Sequence, residues 1–216
     1  MSPLHDCSDP VDRATGLREA DAALRRGELV VLPTDTVYGV GADAFDPEAV
    51  ARLLRAKGRG RNMPSPVLVG SPGDLDDLVD GLPRYADELM TAFWPGGLTL
   101  VARHKPSVTW DLGDTGGTVA VRMPDHPVAL ELLRLTGPLA VSSANLTGRP
   151  SPQDCRAARE MLGDAAAVYL DAGPTPAAVP SSIVDLTGPA PVLVRAGAIS
   201  TERLREVVPD LRERYS

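Results

Sequence analysis

Short apolar runs, each closed by proline, glycine or a polar residue, alternate along this chain with segments of helical apolar spacing, which restricts the fold to the α/β class. In 11–26, Val11, Leu17, Ala20 and Leu24 recur at roughly helical intervals before Gly27, so a helix is expected there. Further helices are expected over 47–56, which opens on Pro47 and stops before Gly58, and over 72–79, 84–93, 127–135, 153–162 and 201–208. Apolar runs at 28–32, 67–69, 98–103, 118–123, 139–142, 167–170, 182–186 and 192–195 read as strands. No repeat or long low-complexity linker breaks the series. One domain over 11–208 on a mixed sheet is expected, with 1–10 and 209–216 as terminal segments of little functional weight. The charged stretch 206–216 is expected to fray or to form a terminal helix. The 20 Gly and 21 Pro are scattered singly through apolar runs, which means many sharp turns and not disorder.

A net charge of −7 argues against a surface that wraps nucleic acid over its whole extent and leaves room only for a local basic cleft. Lys57 and Lys105 are the only lysines among 22 cations; the others are arginine. Cys7 and Cys155, with His5, His104 and His126, offer neither a disulfide framework nor zinc-ligand spacing, which fits a reducing cytoplasm. The N-terminus lacks a basic start and an apolar stretch, and no window approaches a membrane span, so neither secretion nor a membrane is expected. The common glycine-rich nucleotide fingerprints and the Gly-x-Ser-x-Gly nucleophile elbow are absent. His104 and His126 read as surface or turn histidines, Cys155 as packing, and Trp94 as a core aromatic before the turn at Gly96 and Gly97, which could line a cleft.

The chemistry then falls to polar loops at the ends of apolar strands, where ligand sites often lie. In the first, Thr34, Asp35 and Thr36 can cap their own turn amides or, with Tyr38, meet a small polar ligand bearing an amine or hydroxyl. In the second, Lys57-Gly-Arg59-Gly-Arg61-Asn62 ends a helix, where cations favour the C-terminal dipole. The choice of lysine in an arginine-rich chain points to a compact charge poised for a phosphate, with Arg59 offering a bidentate fork and the glycines allowing close approach. On that reading Lys57 can be replaced with little loss of stability. In the third, Arg122 ends an apolar strand and needs an anion, either an acid of this chain or the carboxylate of a ligand. In the fourth, Ser142, Ser143 and Asn145 follow another apolar strand, while Ser151 before Pro152 resembles a helix cap. The fifth set, Ser181, Ser182 and Arg195, borders apolar strands in the same way, and five such loops suggest one shared cavity.

These loops, in this order, resemble the threonylcarbamoyl-AMP synthase family, the proteins built on the YrdC-type domain. The likeness is carried by PTDTVYGVGADA at 33–44, KGR at 57–59, FWPGGLTLV at 93–101, VAVRMPDHP at 119–127, SSANLTGRPSP at 142–152, PSSIVDLT at 180–187 and VLVRAGAI at 192–199. The resemblance implies a single-domain, open, twisted mixed sheet with helices around a large concave cavity. It implies a nucleotidyltransferase that condenses L-threonine, bicarbonate and ATP into L-threonylcarbamoyl-AMP and pyrophosphate for tRNA modification, with transient hand-off to the tRNA threonylcarbamoyl-transferase complex. It places ATP at Lys57, Arg59, Val141, Ser151 and Arg195, with Lys57 and Arg59 catalytic, and threonine at Thr36, Arg122, Ser143, Asn145 and Ser181. Mg2+ would come with ATP, without a protein metal cage. The alternatives are a module that binds double-stranded RNA or serves ribosome maturation, and a carbamoyl-transfer domain. Two departures stand out: Gly60 replaces the proline that often follows Lys-x-Arg, and the run from Pro66 to Gly70 lacks the histidine common in relatives. Larger relatives add a C-terminal domain, so the expectation is the short form.

Overall fold

Carboxylate caps and prolines set the helix starts. Asp9 accepts the amides of Val11 and Asp12 ahead of Pro10, and Asp46 accepts those of Glu48 and Ala49 ahead of Pro47. The computed structural model describes residues 2–176 and 179–214; Met1 and residues 215–216 of the two terminal segments lie outside them. In chain order the first half runs β1 (Leu4–Asp6), α1 (Pro10–Arg25), β2 (Val30–Leu32), β3 (Gly39–Asp43), α2 (Pro47–Lys57), β4 (Val67–Leu68), α3 (Leu75–Leu78), β5 (Val79–Asp80), α4 (Tyr85–Phe93) and β6 (Leu98–His104). The second half runs β7 (Thr118–Arg122), α5 (Pro127–Thr136), β8 (Leu139–Ser143), α6 (Cys155–Leu162), β9 (Val168–Asp171), β10 (Ser182–Asp185), β11 (Val192–Arg195), α7 (Thr201–Val207) and β12 (Arg212–Glu213).

The described strands form one mixed sheet in the order β1-β9-β2-β3-β8-β4-β7-β6-β10-β11-β12, with β5 on β6. Val30 and Leu32 pack with α1 and α5, while Val31 joins the core beneath α2, α4, α6 and α7, the two-residue alternation of a strand covered on both faces. Four expectations change. The polar stretch 33–44 contains β3, whose glycine-rich strand lies antiparallel between β2 and β8. The helix expected over 72–79 is a 3-10 turn at Pro72–Asp74 running into α3, and then β5. After α7 the chain extends and Arg212–Glu213 pairs with β11, because Leu211 is buried and draws the segment onto the sheet. The first residues are ordered against the fold as β1, parallel to β9. No described helix is long and apolar enough to cross a membrane.

His5 on β1 is buried, with Nδ1 2.7 Å from Asp12 Oδ1 and Nε2 2.9 Å from Glu19 Oε2, both on α1. Burial alone would lower its pKa, but the two carboxylates outweigh it and raise the group above 6.5. A folded-state pKa above the unfolded one gives stability fully present below the unfolded value and lost as pH rises through the folded value. The melting temperature is therefore expected to fall as pH rises above 6.5, and His5→Gln to flatten that slope in thermal denaturation. Equal slopes in both proteins would remove this role.

Candidate active site

Beyond α1 and α5 the same face of the sheet hollows into a cavity of about 480 Å³; Leu68 and Val141 belong both to the apolar cluster under those helices and to its wall. Strand ends supply most of the lining: Thr34, Thr36 and Val37 after β2, Ala120 and Arg122 on β7, Ser142, Ser143 and Asn145 at β8, Ser181 before β10 and Arg195 on β11. Arg59 and Ser151 enter from loops. On β7, Ala120 and Arg122 face the cavity while Val119 and Val121 enter the core, so the alternation that buries the strand also presents the arginine.

The turn after β2 is held by Thr34, whose Oγ1 accepts the amides of Thr36 and Val37, each at 3.2 Å, and donates to Val37 O at 2.6 Å. That turn presents Thr36 and Asp35 to Arg122. The buried guanidinium donates from Nη1 to Thr36 Oγ1 at 2.8 Å, from Nη2 to Asp35 Oδ1 at 2.5 Å, and from Nε to Gly96 O at 2.9 Å. The turn after Trp94 thus reaches the site through a carbonyl, while Trp94 itself is buried with its Nε1 on Leu98 O at 2.7 Å. Tyr38, counted as a possible ligand hydroxyl, is fully buried; it donates to Gly173 O at 2.6 Å and accepts from Ala172 N at 3.0 Å, which occupies the group in tying down the loop after β9.

Lys57 and Arg59 part ways. Val50, Leu53, Leu54 and Lys57 fall at i, i+3, i+4 and i+7 on the buried stripe of α2, so Lys57 enters the core side of the wall with 1% exposure. Its ammonium donates to Ser143 O, to Asn145 O at 2.7 Å and to Asn145 Oδ1 at 3.3 Å. Three N–H groups meet three carbonyl oxygens of the loop that presents Ser143 and Asn145, so the group expected at a phosphate is enclosed by protein. Burial, with Arg59 nearby, brings its pKa down to about 7. Gly58 then ends α2 at φ 64°, a left-handed cap. One residue on, Arg59 lines the cavity, donating from Nη1 to Ser142 Oγ at 2.9 Å while its buried Nε has no partner among the described residues. Burial lowers its pKa.

The cap reading of Ser151 also changes. Asp154 caps α6 by accepting Ala157 N, and Ser151 lies on the cavity wall. Asn145 lines the cavity, but its Nδ2 is taken by Leu146 O and Arg149 O, at 3.0 and 2.6 Å. Arg195 clasps Ser181, with Nε and Nη2 on its carbonyl at 3.0 and 2.8 Å and Nη2 on its Oγ at 3.1 Å. Burial, then the charge of Arg122, lowers the Arg195 pKa. Of the residues that the family resemblance places at ATP or threonine, all but Lys57 line one cavity. Two features were missed: Thr99, whose Oγ1 is 2.7 Å from Ser181 Oγ, and the pairing of Asp35 with Arg122. Thr99 had a signal, a hydroxyl between Leu98 and Leu100 in an apolar run. Burial places Cys155 in the core and pushes its thiol up to about 12. Among the described residues no group of three or more His, Cys, Asp or Glu could hold a metal ion.

Exposed charges fasten two neighbouring loops. Arg61 donates from Nη1 and Nη2 to Asp111 at 2.9 and 2.8 Å and from Nε to Asp114 at 3.3 Å, joining the loop after α2 to the loop before β7. At the cavity wall, a Cβ on Gly197 would stand 2.3 Å from Pro180 O and 2.6 Å from Ser181 C. Gly197→Ala is expected to push Ser181 off the wall and to cost about 1–3 kcal/mol by overpacking, read by thermal denaturation and by weakened ligand binding. An unchanged melting temperature would show that the backbone gives way there.

Taken together, a concave site at strand ends, lined by three guanidiniums and several hydroxyls, defines an α/β domain with a cavity whose chemistry suits small anionic and polar ligands. The chain belongs to the Sua5/YciO/YrdC family, whose model, described as telomere recombination, matches residues 22–197. A protein of Mycobacterium tuberculosis strain H37Rv is 58% identical over 208 residues, 96% of each chain. The Bacillus subtilis protein named threonylcarbamoyl-AMP synthase is 41% identical over 194 residues, 89% of this chain and 56% of that one. The crystal structure of Pyrococcus abyssi Sua5 complexed with L-threonine superposes with a TM-score of 0.92 at 36% identity, covering 99% of this chain and 62% of that one. The chain therefore spans about three fifths of the archaeal structure.

Proposed function

We propose that this chain is a threonylcarbamoyl-AMP synthase, which condenses L-threonine, bicarbonate and ATP into L-threonylcarbamoyl-AMP and pyrophosphate. The carrying observation is the convergence of Arg59, Arg122 and Arg195 with the hydroxyls of Thr36, Ser143, Ser151 and Ser181 on one cavity. The name of the Bacillus subtilis relative and the L-threonine in the Pyrococcus abyssi structure support it. Arg122 takes the threonine carboxylate, with Thr36, Ser143, Asn145 and Ser181 around the rest of the amino acid. Arg59 and Arg195 face the phosphates, with Ser151 and Val141 beside the nucleotide. Lys57 acts through the Ser143–Asn145 loop.

The chemistry needs no protein nucleophile. The unprotonated threonine amine adds to carbon dioxide formed from bicarbonate and loses a proton to give a carbamate. A carbamate oxygen attacks the α-phosphorus, the bond to the β-phosphate oxygen breaks, and pyrophosphate leaves. Holding the two reactants in line supplies about 7–11 kcal/mol of the barrier reduction, and fixed guanidiniums stabilise charge on the departing phosphates. Magnesium would come with the nucleotide and shield the charge of the departing pyrophosphate. The adenylate then passes to the enzymes that modify tRNA.

The test is pyrophosphate release with ATP, magnesium, threonine and bicarbonate, omitting each in turn, with the adenylate detected by mass. Release that requires both threonine and bicarbonate is expected. Release that requires neither would sink the reading, because no carbamate would then take part in the cleavage of ATP.

A further inference from the structure

The cavity's three guanidiniums are not equivalent. The hydrogen bonds of Arg59 go to a serine hydroxyl, and those of Arg195 to the carbonyl and hydroxyl of Ser181. Arg122 alone of the three has a carboxylate against it in the hydrogen bonds that hold them, Asp35 at 2.5 Å. Both members of the pair are largely out of water, with side-chain exposures of 9% for Arg122 and 16% for Asp35, so their charges are poorly screened. The same Asp35 oxygen accepts Asp125 N at 3.0 Å, which locks the turn after β2 to the end of β7 and keeps the carboxylate in place.

An incoming polyphosphate therefore finds net positive charge at Arg59 and Arg195, and at Arg122 a neutral pair whose acid repels it. A zwitterionic amino acid has the opposite experience, since its carboxylate and its ammonium each find an opposite charge in the pair. We infer that Asp35 is a positioning and specificity-determining residue, an internal counter-ion that reserves Arg122 for a zwitterionic amino acid and turns polyphosphate toward Arg59 and Arg195. This deepens the proposed reading and rests on it.

The experiment titrates the full chain with L-threonine and inorganic pyrophosphate, singly and together, by calorimetry. In the native chain saturating pyrophosphate is expected to leave the threonine Kd within about twofold, because the two anions occupy different arginines. Asp35→Asn keeps an oxygen for Arg122 and Asp125 and removes only the charge. In that variant pyrophosphate is expected to compete, raising the apparent threonine Kd roughly tenfold, with the competition weakening as salt is added. A purely structural role for Asp35 would create no such competition. Pyrophosphate that competes with threonine in the native chain would overturn the inference, and this arm holds even if the variant does not fold. A folded Asp35→Asn that behaves as the native chain would overturn it equally. Failure of the native chain to bind threonine is a separate result, which removes the synthase reading and the inference with it.

Discussion

Replacing Lys57 by methionine is expected to lower the unfolding free energy by about 2–4 kcal/mol and to cut turnover severely, although Lys57 stands behind the cavity wall. The methionine stem fills the space of the lysine stem, so little cavity is created. What is lost is the donor to Ser143 O, Asn145 O and Asn145 Oδ1, and buried carbonyl oxygens without partners cost about 1–3 kcal/mol each, an amount relaxation of the loop reduces in part. The loop that presents Ser143 and Asn145 would then shift, and catalysis falls with small displacements of positioning groups. Urea denaturation and steady-state turnover check the two parts together. Full stability with abolished turnover would return Lys57 to a phosphate.

Arg122→Ala is expected to raise the threonine requirement about a hundredfold while leaving the ATP requirement within about threefold, since loss of a charged hydrogen-bonded contact is worth roughly 1.5–3 kcal/mol and each 1.4 kcal/mol is tenfold. The substitution also strands Asp35, whose side chain is 16% exposed, and stability is expected to drop with it. Separate KM measurements for the two substrates decide the matter. A loss of stability with both KM values unchanged would reduce Arg122 to an internal ion pair. Equal increases in both would assign it to the site as a whole.

The α/β alternation was legible because apolar spacing and proline or glycine stops act locally, as at Pro47 and Gly58. β3 was not, because its pattern of Gly39, Val40 and Gly41 carries little apolar signal; its place between β2 and β8 comes from pairing distant in sequence. β1 and β12 are two or three residues long and exist only through their partners β9 and β11. The site residues were visible as polar loops at strand ends, and that rule brought together Thr36, Arg122, Ser143 and Arg195. The rule failed for Lys57, where a chemical preference for lysine was weighed and the helical stripe of Val50, Leu53 and Leu54 was not carried forward to position 57. The pairing of Asp35 with Arg122 was not legible, because a turn aspartate commonly caps its own loop and this tie crosses 87 residues of chain.

The link from Arg61 to Asp111 and Asp114 gives the junction of two loops a stiffness that the surrounding electrolyte can set. All three side chains are exposed, so their attraction weakens as the Debye length contracts, while the buried pair of Arg122 and Asp35 is barely touched. Adding salt thus loosens this loop tie before it disturbs the buried pair. The loop tie and the buried turn therefore respond to ionic strength through different pairs of residues.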